Sequence, residues 1–310
     1  MNTVPIVFAF DEKLLMPAGV CLTSLLETAA PDTFYDIFIL HPARCDFSGE
    51  KLMRLPELFG NCRITLRPVR DFAGAYEVRG VSEVTYYRLV IPELIPEYDK
   101  IIYSDVDVIF REDQAQYYAL DLGDNYLAGV DSSSVLPDED KEYIRKRLGI
   151  EPDKGYFYAG NSIINSALIR KDGLMDIFRK KGEEQFKFQD MDIFNLVCNG
   201  RILPLPLSCC LSVHLYYAIL DNRKRMEDLF SAEGVEAALQ NGIMHYNGNK
   251  PWDTTCINMD LWWTVYRKSI FFQEDFTFHF WDKECTKIER LPLWKRIKLV
   301  GRYFREGGRR

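Results

Sequence analysis

The 310-residue chain has no run of 18 or more apolar residues, which excludes a helix of the length and character that spans a bilayer. Its start passes straight into Val4-Pro-Ile-Val-Phe-Ala-Phe10, with no basic segment and apolar core before it, so no secretory leader is expected. Eight cysteines are present without a single CxxC pair, mostly inside apolar stretches. That usage fits reduced thiols in a cytoplasmic protein better than zinc sites or disulfides. The adjacent pair Cys209 and Cys210 reads as two packed core thiols. No GxxxxGK[ST] loop occurs, and the first strand is followed by Asp11-Glu-Lys-Leu-Leu15 rather than a glycine-rich turn. Both common phosphate-cradling loops are thereby excluded. Basic charge is outnumbered over most of the chain: the net charge is −7 although residues 287–310 carry nine Lys or Arg against two Glu, which leaves the rest at −14. So acidic a body lacks the face that a phosphate backbone requires, and no nucleic-acid partner is expected.

What is present is an ordinary globular composition, 47% apolar and 27% charged, with length enough for a large core. Strand-like and helix-like segments alternate through the first half, the mark of a mostly parallel α/β sheet flanked by helices. Strands are expected at Val4–Phe10, Tyr35–His41, Cys62–Val69, Lys100–Phe110 and Leu127–Val130, with helices at Gly19–Glu27, Glu50–Phe59 and Val84–Leu94. After Pro137 come helical segments near Glu139–Leu148, Leu174–Phe186 and Asp190–Cys198, and short strands at Arg201–Leu205 and Ile243–His245. The expected organisation is one domain over residues 1–250, then a small aromatic and basic helical region over 251–310. Within it, Leu293, Ile297, Val300 and Phe304 follow helical spacing among Lys and Arg, and a helix over 291–306 could lie on an anionic membrane surface.

The segment Lys100-Ile-Ile-Tyr-Ser-Asp-Val-Asp-Val-Ile-Phe110 carries two acids inside an apolar run. Unpaired charge away from water is costly, and on an extended chain Asp105 and Asp107 would point to one face. Two converging carboxylates point to a hard divalent cation such as Mg²⁺ or Mn²⁺, the alternative being a strand-end pair that is hydrated or capped. The same spacing at Asp138/Asp140 lies in a charged stretch and reads as a solvated turn or helix start. His245, in Met244-His-Tyr-Asn-Gly-Asn-Lys-Pro-Trp252, could complete such a site, with Lys250 and the backbone around Gly248 near a diphosphate. Asp11, at the end of the first strand, could accept from a base or ribose, or cap a helix.

Six segments occur in order: Phe8-Ala-Phe-Asp11, Thr85-Tyr-Tyr-Arg-Leu89, Ile102-Tyr-Ser-Asp-Val-Asp107, Tyr156-Phe-Tyr-Ala-Gly160, Phe188-Gln-Asp-Met-Asp192 and His245-Tyr-Asn-Gly-Asn-Lys-Pro-Trp252. Together they resemble glycosyltransferase family 8, the family of glycogenin and the bacterial lipopolysaccharide galactosyl- and glucosyltransferases, over roughly residues 3 to 255. The resemblance implies a GT-A fold and retaining, Mn²⁺- or Mg²⁺-dependent transfer of a hexose from a UDP-sugar to a glycan or glycolipid acceptor. By position it implies Asp105, Asp107 and His245 as metal ligands. It puts the donor against Ala9, Asp11, Ser104, Val106, Ala159, Gly160, Asn161, Asn247, Gly248 and Lys250. Arg88, Gln189 and Asp190 would meet the sugar, with Met191 at the position of a family amide.

Three departures stand out. Met191 replaces that amide, Tyr158 stands where the family usually has Asn, and the loop from His245 to Lys250 is one residue shorter. The resemblance and the basic tail imply a cytoplasmic enzyme at the inner membrane face, extending a cell-surface glycan. The alternatives are a UDP-sugar-binding protein that has lost activity, or a Mg²⁺-dependent phosphohydrolase using Asp105 as nucleophile.

Overall fold

The computed structural model describes residues 2–70 and 83–306. Among the described residues ten strands form two sheets: β1 Asn2–Ala9, β2 Thr33–Pro42, β3 Cys62–Val69, β4 Ile101–Ser104, β5 Val108–Ile109, β6 Leu127–Asp131, β7 Phe157–Ile164, β8 Ile202–Pro204, β9 Leu211–Ser212 and β10 Met244–His245. The main sheet runs β3-β2-β1-β4-β7-β6-β8, parallel except where β7 runs against β4 and β6. A second sheet, β5-β10-β9, stands beside it. The expected mixed, mostly parallel α/β architecture is therefore the observed one.

Both faces of the central strands are covered. On β1, Val4, Ile6 and Phe8 join a core with helix α1 (Leu15–Glu27), while Val7 joins a second core on the other face. That second core contains the 3₁₀ segment Glu83–Val90 and the helix Gln189–Val197. Burial on two faces explains why these strands read as continuous apolar runs.

One expected element is corrected. Lys100–Phe110 is not a single strand: β4 ends at Ser104, residues 105–107 turn, and β5 then enters the small sheet. Two acids cannot continue inside a ladder buried on both faces, so the chain leaves the sheet where they occur. Val84–Leu94 is mostly 3₁₀, and Leu174–Phe186 shortens to Leu174–Gly182. Three helices, Val213–Asp221, Arg223–Phe230 and Ala232–Asn241, fill a stretch where periodicity gave no assignment.

The aromatic C-terminal region packs onto the first core. Trp262, Trp263, Tyr266, Phe271 and Phe280 belong to the same buried cluster as Val20, Leu22 and Leu25 of α1. The contact is close enough to demand a glycine: a Cβ on Gly19 would lie 2.3 Å from the ring of buried Phe271. Helix propensity favours Gly19→Ala by about 1 kcal/mol, but overpacking costs about 1–3 kcal/mol. Gly19→Ala is therefore expected to destabilise the fold, read as a lower midpoint in urea at unchanged slope. An unchanged or higher midpoint would contradict this packing.

Candidate functional site

Parallel pairing of β1 with β4 sets Phe8 beside Ser104, so Ala9 to Asp11 and Asp105 leave the sheet at one edge. Ser104 also opposes Asn161 on β7, and the Asp105 N–H donates to the Gly160 carbonyl at 2.7 Å. Beyond the turn, Val108 opposes His245, and the Tyr246 N–H donates to the Asp107 carbonyl at 2.9 Å. The small sheet thus brings a histidine 138 positions further along the chain against the acid turn. The two carboxylates converge because the backbone turns between them, not because an extended strand presents both on one face.

The His245 Nε2 lies 3.2 Å from Asp107 Oδ1 and 3.7 Å from Asp105 Oδ2. Lys250 donates its ammonium to the other oxygen of Asp107 and to the Tyr246 carbonyl. Arg88 Nη2 donates to Asp105 Oδ1 at 2.7 Å, and its Nε lies 3.2 Å from Asp190 Oδ2. Its guanidinium also stacks over Tyr103, whose hydroxyl donates to Asp105 at 2.8 Å. Thr85 Oγ1 donates to Asp190 at 2.9 Å. Three carboxylates are therefore faced by three cationic side chains.

These contacts set protonation. Burial disfavours a charged imidazole, but the Asp107 carboxylate outweighs it and holds His245 well above the ordinary histidine range. Burial likewise opposes ionisation of Asp107, and His245 and Lys250 together hold it below the usual carboxylate range. For Asp190 burial wins over Arg88, and its carboxyl is pushed up to about 6.

The donor set suits a divalent ion. Asp105, Asp107 and His245 offer two carboxylate oxygens and one ring nitrogen, all within 4.8 Å of one another. Gly160 makes room for them: a Cβ there would lie 2.5 Å from His245 Cε1 and 2.6 Å from Asp105 Oδ2.

The site opens into a cleft of about 550 Å³. Of the residues expected from sequence, Ala9, Asp11, Arg88, Asp105, Val106 and Asp107 line it. Ala159, Gly160, Gln189, Asp190, Met191, His245, Asn247 and Lys250 line it as well. Asp11 also caps the following turn, accepting from the Lys13 N–H at 3.1 Å. Gln189 opens its helix at φ 48°, a left-handed conformation that costs about 1–3 kcal/mol and recurs at functional sites.

Ser104, Asn161 and Gly248 are not part of the lining; Ser104 and Asn161 bond each other behind it at 2.6 Å. Asp192 is fully buried and accepts from Tyr143, Tyr156 and the Phe188 N–H, so it fixes its helix start instead of facing the cleft. Asp138 to Asp140 form the helix start that was one of the two expected readings, but Asp140 is largely buried and pairs with Lys187 instead of being solvated. Sequence reasoning missed Lys13 and Lys187 in the lining; each lies within two residues of a motif, the only signal available. Trp252 reaches the cleft while Trp262 and Trp263 are core.

The description glycosyl transferase family 8 matches residues 5–256. A Haemophilus influenzae relative, provisionally named a glycosyltransferase, is 29% identical over 151 residues, 46% of this chain and 44% of its own length. Glycosyltransferase GlyE of Streptococcus pneumoniae is 25% identical over 186 residues, 59% of this chain and 41% of GlyE. The chain thus spans less than half the length of these two relatives. Among solved structures, an active-site mutant of LgtC superposes with a TM-score of 0.73 at 26% identity, covering 88% of this chain and 99% of LgtC. Galactosyltransferase LgtC with donor and acceptor sugar analogues gives 0.71 at 25% identity, with the same coverage. The architecture they share is the GT-A fold. The family match begins in β1 and ends just past Lys250 and Trp252, so it takes in every element that builds the cleft: this chain belongs to glycosyltransferase family 8.

Proposed function

We propose that this protein transfers glucose or galactose from a UDP-sugar to a cell-surface glycan or lipopolysaccharide-type acceptor, with retention of configuration and dependence on Mn²⁺ or Mg²⁺. The observation that carries this reading is the convergence of Asp105, Asp107 and His245 on the cleft that also holds the Arg88–Asp190 pair. Likeness to LgtC with donor and acceptor sugar analogues supports the substrate class. A divalent ion held by Asp105, Asp107 and His245 would neutralise the diphosphate and the charge that develops on it as the glycosidic bond breaks.

The chain's own residues account for the rest. Asp11 has a second carboxylate oxygen for the uracil or ribose, and Lys250 and Asn247, which line the cleft, would serve the phosphates. Arg88 keeps Asp190 in place, and Asp190 and Gln189 meet the sugar hydroxyls. Met191 offers a thioether where an amide would stand, and a thioether is neither a weak oxygen nucleophile nor an oxocarbenium stabiliser of that kind. The route left is same-face displacement: the acceptor hydroxyl bonds to the anomeric carbon as the bond to UDP breaks, and its proton passes to the departing phosphate oxygen. The presence of Met191 in the lining also favours a second reading, a UDP-sugar binder without transfer activity.

The proposal sets the enzyme in the cytoplasm at the inner membrane face. The helix Leu293–Glu306 exposes Leu293, Trp294, Ile297, Val300 and Phe304, each at least 55% accessible, with Lys295, Arg296 and Lys298 exposed among them. No described helix is long and apolar enough to cross a membrane. An amphipathic basic helix of this kind binds through apolar insertion and anionic headgroups together.

Three outcomes are expected. With Mn²⁺ and UDP-glucose or UDP-galactose the protein releases UDP, and Asp107→Ala lowers that rate by about 10²–10³-fold; tight UDP binding with no release would favour the inactive binder, and phosphate release from simple esters a hydrolase. Met191→Gln raises kcat if the missing amide limits turnover, whereas an unchanged kcat would show that the thioether is no handicap. Leu293→Glu with Ile297→Glu weakens cosedimentation with vesicles containing phosphatidylglycerol by about tenfold or more, and equal sedimentation of both forms would rule out the tail as anchor.

A further inference from the structure

Cys210 stands immediately ahead of β9, and the parallel pairing of β9 with β10 sets Leu211 beside Met244 and Ser212 beside His245. That register puts the Cys210 thiol behind the His245 ring. Its Sγ lies 3.4 Å from Nδ1, while Nε2 faces the carboxylates of Asp107 and Asp105. The sulfur also accepts from Asn161 Nδ2 at 3.6 Å, and Asn161 Oδ1 accepts from Ser104 Oγ at 2.6 Å. Ser104 directly precedes Asp105. Ser104, Asn161, Cys210 and His245 are each no more than 4% exposed. The contacts form a buried chain that starts beside one carboxylate and ends on the imidazole opposite it.

A histidine ring turns on a soft, roughly two-fold torsion, so burial alone leaves its two nitrogens interchangeable. A metal-binding histidine usually has its second nitrogen fixed by a carboxylate, a carbonyl or water. Here the partner is sulfur, itself held by an amide. We infer that Cys210, braced by Asn161, is a positioning residue that keeps His245 Nε2 aimed at Asp105 and Asp107. The inference rests on the metal reading proposed above and adds the group that orients its nitrogen ligand.

The test titrates the full chain with Mn²⁺, following free ion by electron paramagnetic resonance, and records the imidazole ¹⁵N signals without metal. The chain has four histidines, so His245→Gln assigns the ring in question. Cys210→Ala is expected to weaken Mn²⁺ binding by about tenfold or more and to move or broaden the His245 ring signals. Cys210→Ser keeps an oxygen able to take both hydrogen bonds and is expected to stay within about threefold of wild type. Cys209→Ala makes the same truncation one residue earlier, beside Tyr117, and is expected to leave both readouts unchanged. Thermal melting without metal shows that each variant folds. Unchanged ring signals in Cys210→Ala, or an equal loss in Cys209→Ala, would overturn the inference. If wild type binds no Mn²⁺ yet Cys210→Ala still moves the ring signals, the metal reading fails while the positioning role stands.

Discussion

Mutual repulsion of carboxylates is the constraint around which this structure is arranged. Ligand atoms of Asp105 and Asp107 lie within 4.8 Å of each other and of His245, and two unit charges at that separation repel by roughly 3–4 kcal/mol at an effective dielectric near 20. Asp190 adds a third carboxylate through its shared contact with Arg88. The fold answers with Arg88 between Asp105 and Asp190, and with His245 and Lys250 on Asp107. Removing one partner of such a buried pair typically costs about 3–5 kcal/mol, because the other charge is left uncompensated. The acids are thus held together by cations that the chain itself supplies.

This has a consequence for how a metal enters. An ion on Asp105, Asp107 and His245 would compete with the proton on His245 and with the Lys250 ammonium. Because Asp107 holds the imidazole pKa above its usual value, metal binding at these residues would release a proton and tighten as pH rises. Lys250, once displaced, is a free positive charge at the cleft edge, where a diphosphate would arrive with the metal. Metal and nucleotide are therefore expected to bind with positive coupling, each lowering the cost of admitting the other.

Much of this was legible before the fold was known. The hydrophobic flanks of Asp105 and Asp107 set them apart from Asp138/Asp140, and six ordered segments brought His245, Arg88 and Asp190 to the same site. Strand periodicity could not show that the chain breaks at Ser104, since an apolar run on both sides of two acids looks continuous. Nor could it show the small sheet that carries His245, because β5, β9 and β10 are two residues each. The Cys210 contact was hidden for a related reason, since it depends on the register of β9 against β10, whereas Asn161 was expected against the donor and instead lies behind the lining on β7. Asp192 shows the converse, a motif residue whose spacing suggests the cleft but which is buried, bonded to the Phe188 N–H at the start of its own helix and to two tyrosines from other elements.

The central claim is that one cation site organises the cleft and that Lys250 holds its place until a metal and a diphosphate arrive. Crystals grown with UDP and Mn²⁺, with anomalous data collected at the manganese edge, test it most directly. The account predicts a single strong peak about 2.0–2.3 Å from oxygens of Asp105 and Asp107 and from His245 Nε2, with the Lys250 ammonium moved off Asp107 onto the diphosphate. Manganese bound elsewhere, or Lys250 still paired with Asp107 beside bound UDP, would contradict it.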